Sequence, residues 1–119
     1  MVRPVLRSLH SPDLDRSVLP QDHKEFSVVV EAIIGPENGP GEEIFSFLVV
    51  TPSALKPEQL PQWGRGLLIV NEFSWDTVEQ FVRKLLRHAE RETWHQVAAE
   101  LSKQLHYEFE NYSGVKPRL

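Results

Sequence analysis

A chain of 119 residues can close one hydrophobic core but not two. Its 40% hydrophobic and 25% charged residues belong to a folded globular protein and exclude a disordered one. With a net charge of −4, no basic patch of the kind with which most nucleic-acid binders neutralise phosphates is apparent in the sequence.

In chain order, Pro4 to His10 alternates as a short strand, with Val5, Arg7 and Leu9 opposed to Leu6 and Ser8, and Ser11-Pro12-Asp13 turns it. Phe26 to Ile34 is a strand with Phe26, Val28, Val30, Ala32 and Ile34 on one face. Glu42 to Thr51 is a second strand, with Phe45, Phe47 and Val49 opposed to Ile44, Ser46, Leu48 and Val50. The Gly/Pro/Asn-rich loop of residues 35–41 makes the two an antiparallel hairpin with a wide tip. Pro52 to Leu60 is a connector with one helical turn, capped by Thr51 or Ser53 and limited by Pro57 and Pro61. Gly66 to Val70 is short and apolar on both faces, which predicts a central strand.

Ser74 then caps a helix whose stripe is Val78, Phe81, Val82, Leu85, Leu86 and Ala89. Thr93-x-x-Gln96 is a capping box opening a second helix that buries Trp94, Val97, Ala98, Leu101 and Leu105. His106 to Tyr112 fits a helix extension or a short strand, and the alternation of Tyr107 and Phe109 with Glu108 and Glu110 favours the strand. Strands followed by helices predict an α+β fold: a mainly antiparallel sheet of four to five strands with two amphipathic helices on one face. Residues 1–119 form one domain on this reading, with Phe81, Leu85, Val97, Leu101, Val28, Val30 and Ile69 in its core. Trp75 and Trp94 suit the core, and Trp63 suits core and surface equally.

The chain offers little chemistry. The absence of cysteine rules out a disulfide framework, thiolate zinc ligation and a cysteine nucleophile, and fits a reducing cytoplasm. No histidine pair has the spacing of a helical zinc site, so no metal or cofactor is expected. No serine sits in a GxSxG elbow, and no glycine loop carries a P-loop lysine. Glu108 and Glu110 would project on one side of a strand, about 7 Å apart. With His106 they form the one arrangement that an acid/base enzyme would use. Arg83, Lys84, Arg87 and Arg91 are interspersed with Glu79, Glu90 and Glu92 and read as a solvated helix face. The N-terminus lacks a signal peptide's apolar run, and no stretch reaches the roughly 18 apolar residues of a membrane span. A cytoplasmic protein with no membrane or nucleic-acid partner is the expectation, and no catalytic residue is assigned.

Four blocks together carry a resemblance: LHSPD (Leu9 to Asp13), GEEIFSFLVVTPSAL (Gly41 to Leu55), WGRGLLIVNEFSWDTVEQFV (Trp63 to Val82) and ETWHQVAAELSKQLHYEFENY (Glu92 to Tyr112). In this order the chain resembles the immunity protein 8 family. The resemblance implies a small cytoplasmic bacterial α+β protein encoded beside a polymorphic or contact-dependent growth-inhibition toxin. Such a protein neutralises the cognate toxin by binding it. The expected toxin is the C-terminal nuclease domain of a large secreted protein, and such domains are commonly basic. An acidic partner would then gain association rate by electrostatic steering. The candidate toxin-binding residues are the carboxylates Glu37, Glu42 and Glu43 at the hairpin, Glu72 and Asp76 beside the strand-to-helix turn, and Glu108 and Glu110 in the tail. Trp63 and Tyr112 are the aromatic candidates. The competing readings are an acid/base enzyme built on Glu108, Glu110 and His106, and a regulatory module self-associating through an exposed hairpin edge.

Overall fold

The hairpin expected from the alternation of residues 26–51 forms the centre of the sheet. A computed structural model describes residues 1–17, 22, 24–61 and 63–109. Its elements are β1 (Pro4–His10), β2 (Ser27–Pro36), β3 (Glu43–Val50), β4 (Leu67–Ile69), α1 (Trp75–Arg87), α2 (Trp94–Leu101) and β5 (His106–Tyr107). The strand order is β1-β2-β3-β4, with β5 also paired to β3. Every pairing is antiparallel except that of β3 with β4. The fold is therefore α+β, with a mostly antiparallel five-stranded sheet and two helices.

Val28, Val30, Ala32 and Ile34 of β2 and Phe45, Phe47 and Val49 of β3 point to one side, where Val78, Val82 and Leu86 of α1 and Val97, Ala98 and Leu101 of α2 meet them. Both helices begin as their sequences dictate. The Ser74 hydroxyl accepts from the Thr77 amide, and Thr93 and Gln96 form the reciprocal capping box. Trp75 is buried and Trp94 is half-buried against the core, as expected of both.

Several expectations are corrected. β4 is not central: it is a three-residue edge strand parallel to β3, and only Leu68 turns inward. Ile69 consequently stands 54% exposed. Phe81 is 50% exposed, because the buried stripe of α1 is Trp75, Val78, Val82 and Leu86. At 3.6 residues per turn Phe81 lies about 100° from that stripe's centre, while Leu85 lies nearer and packs at its margin. Among the described residues the hairpin's edges are largely covered, since β1 pairs with residues 31–36 of β2 and β4 and β5 share the other side of β3. Finally, β1 does not alternate strictly: a bulge between Leu6 and Ser8 lets both Leu6 and Leu9 face the core.

The bulged residue, Arg7, reaches the hairpin loop and donates to the Pro36 carbonyl at 2.6 Å and to Gly39 at 3.2 Å. Gly35 makes room for it, since a Cβ there would collide with the Arg7 guanidinium and the Gly41 carbonyl.

The connector after β3 forms two 3-10 turns, Pro52–Ala54 and Pro57–Gln59, and Thr51 caps neither with its side chain. Its hydroxyl, wholly buried, instead accepts from the Phe26 amide at 2.9 Å, while the Thr51 amide donates to the Phe26 carbonyl. Thr51→Val should therefore leave the Phe26 amide unsatisfied and cost about 1–2 kcal/mol in chemical denaturation. Thr51→Ser, which keeps the acceptor, should cost less.

Candidate functional site

The helices cover one face of the sheet, and cross-strand register arranges the other into rows. Ser8, Ile33 and Ile44 form one row, and Val29, Leu48 and Leu67 another. Between them runs a polar row of His10, Glu31, Ser46 and His106. His10 Nε2 and Glu31 Oε1 lie 2.9 Å apart. Val5, Ile33, Ile44, Leu48 and Leu67 are half-buried, while Val29 and Ile69 are exposed. Among the described residues, seven aliphatic side chains thus lie on this pleated surface, in two groups parted by the polar row.

The β5 end of this surface is held by a residue the sequence did not single out. Arg65 Nε donates to the Ser102 carbonyl at 2.8 Å and its Nη2 to Leu105 at 3.0 Å, while Nη1 lies 3.1 Å from His106 Nδ1. The guanidinium thereby satisfies carbonyls freed where α2 ends, and its charge suits the negative pole of that helix. Gly66, at φ 78°, follows; a side chain there would run into the His106 ring. The amide of Leu67 donates to Gly64, so Trp63, 94% exposed, stands beside the β4 edge.

The candidate carboxylates divide between the two ends of β3. Glu37, Glu42, Glu43 and Glu108 gather at the hairpin end. Arg3 lies 3.8 Å from Glu37 and Arg7 3.9 Å from Glu42, both at exposed sites where such pairs contribute little. Glu72 and Asp76 are exposed at the other end, past the point where the Val70 amide meets the Val50 carbonyl. Strand rise separates the two groups by about 24 Å. Glu110 and Tyr112 lie outside the described residues.

Two of the gathered carboxylates have internal partners. Glu43 Oε1 accepts from the Trp94 indole at 2.6 Å and the Tyr107 hydroxyl at 2.5 Å, tying β3 to α2 and β5. Tyr107 also stacks on Phe45 with ring centroids 4.8 Å apart. Burial, then the Glu43 carboxylate, raises the Tyr107 hydroxyl well above the usual phenol pKa. Glu108 Oε2 accepts from the Ile44 amide at 2.6 Å, and the Glu108 amide donates to the Ile44 carbonyl at 3.0 Å. Its carboxylate thus continues the β3–β5 ladder. Among the described residues no group of three or more His, Asp or Glu is placed to hold a metal ion. No helix there is long and apolar enough to cross a membrane.

Among the described residues, the α+β scaffold has helices on one face of its sheet and leaves the other face, partly apolar, without a covering element. A model of the immunity protein 8 family matches residues 5–112, and the chain belongs to that family. No curated protein and no solved structure matches it.

Proposed function

We propose that residues 1–119 form one domain that acts in the bacterial cytoplasm, binding a cognate toxin one to one and occluding it without turnover or a cofactor. The toxin on this reading is the C-terminal nuclease domain of a large secreted protein. Its polymorphic or contact-dependent growth-inhibition system would make the producing cell need protection. The observation that carries the proposal is the open sheet face, where aliphatic rows flank His10, Glu31, Ser46 and His106. Apolar rows supply burial energy and the polar row supplies register, the division seen between hot spots and specificity elsewhere. Glu37 and Glu42 stand at the hairpin end of this face and Trp63 at its β4 edge. There, exposed charge would raise the association rate with a basic toxin.

Leu48→Asp and Val29→Asp each place a charge in the Val29–Leu48–Leu67 row without touching the buried side. Each should weaken toxin binding by at least about 30-fold, the size of a 2 kcal/mol hot spot. Circular dichroism should show the fold intact, and cells expressing either variant should lose protection. Glu37→Gln with Glu42→Gln should instead slow association, with the difference from wild type vanishing at high salt. Wild-type affinity in both aspartate variants would remove the sheet face from the interface. Inactivation of the toxin by substoichiometric protein would replace occlusion with enzymatic turnover.

A further inference from the structure

One cavity runs against the acidic character of the molecule. It opens between β1 and the second half of α1, has a volume of about 450 Å³, and is lined by Arg3, Arg83 and Arg87 with Glu90 as its one carboxylate. Leu6 and Leu86 give it an apolar wall. Arg83 and Arg87 are four residues apart, so helical periodicity stacks them on one face of α1. Arg3 comes from the opposite end of the chain and joins them because β1 packs beside α1.

The charges are only partly compensated. Arg83 Nε is held by Glu79 at 3.0 Å, and Arg3 lies 3.8 Å from Glu37. Neither carboxylate lines the cavity. Arg87 has no ion pair among the described residues. With Arg87 unpaired among the described residues and two further guanidiniums at the lining, the cavity is net positive, and a carboxylate fits the guanidinium fork in bidentate fashion.

We propose that this cavity receives an acidic side chain of the toxin, an Asp or Glu flanked by apolar residues. The inference rests on the reading that the partner is a protein. It gives that partner a second contact of opposite sign to its basic surface. The Leu6 and Leu86 wall takes the apolar neighbours, and Glu90 at the lining favours a singly charged carboxylate over a more highly charged phosphate.

The probe is a blocked LDLEL peptide titrated into the full-length protein by NMR, beside its amide counterpart LNLQL and inorganic phosphate. Saturable shifts from LDLEL should concentrate on Arg3, Leu6, Arg83 and Arg87. LNLQL should bind at least tenfold more weakly. Arg87→Gln and Arg87→Glu should each reduce LDLEL affinity at least tenfold, whereas Lys84→Glu, one helical position outside the lining, should leave it unchanged. Equal binding of the two peptides, no saturation at these residues, or phosphate binding more tightly than LDLEL would each overturn the inference. Because the readout needs no toxin, these failures leave the immunity reading standing; loss of cell protection by the wild-type chain would instead remove that reading.

Discussion

Leu101→Ala is expected to lower the unfolding free energy by about 2–5 kcal/mol, measured by chemical denaturation. Leu101 is wholly buried on α2, where it meets the core formed by the inward rows of β2 and β3. Truncation there removes apolar burial and leaves a cavity that a capped helix cannot easily move to fill. A small domain has only about 5–15 kcal/mol in total, so the variant should be near its unfolding threshold at physiological temperature. Phe81→Ala supplies the contrast. Half-exposed on the flank of α1, that ring should cost well under 1 kcal/mol despite being the larger side chain. Equal losses in the two variants would mean that the helix is rotated from the phase described.

The second large effect centres on Glu43. Glu43→Ala leaves the Trp94 indole and Tyr107 hydroxyl without the oxygen they share, and should cost about 2–3 kcal/mol. The loss should uncouple β5 before the rest of the sheet, visible as faster amide exchange at His106 and Tyr107. The same contact predicts an alkaline dependence. Folding raises the Tyr107 pKa above its unfolded value of about 10. Its contribution is therefore complete below pH 10, where both states hold the proton. It declines above that pH, as the unfolded chain releases a proton that the folded chain keeps. Tyr107→Phe should flatten this part of the stability–pH curve. An unchanged slope between wild type and Tyr107→Phe above pH 10 would refute the assignment.

Legibility followed the range of the interaction. The caps at Ser74 and Thr93 were readable because donor and acceptor are three residues apart. The hairpin was readable because alternation in residues 26–34 and 42–51 reports which side is buried. The lean toward a strand after α2 held for His106 and Tyr107, whose partners on β3 complete the ladder. Composition could not place β4, since an apolar triplet looks the same at a sheet's centre and at its edge. Nor could it phase α1, where Phe81 and Leu85 sit at helical spacing but only the packing of Trp75 fixes the rotation. The carboxylate candidates were chosen by charge, and charge alone does not reveal that Glu43 is claimed by Trp94, 51 residues later. Likewise Arg3 gave no sign that it would share a cavity with Arg83 and Arg87. The open face was present in the sequence as the second phase of each strand, but its rows needed the register.

That second phase gives the molecule room to diverge. Along β2 and β3 successive residues face opposite ways, so positions 29, 33, 44 and 48 can be rewritten one codon at a time while 28, 30, 45 and 47 keep the interior closed. On the proposed reading, in which this face meets the toxin, two chains with identical interiors would refuse each other's toxins, and a duplicated gene would acquire a new enemy without first having to fold anew.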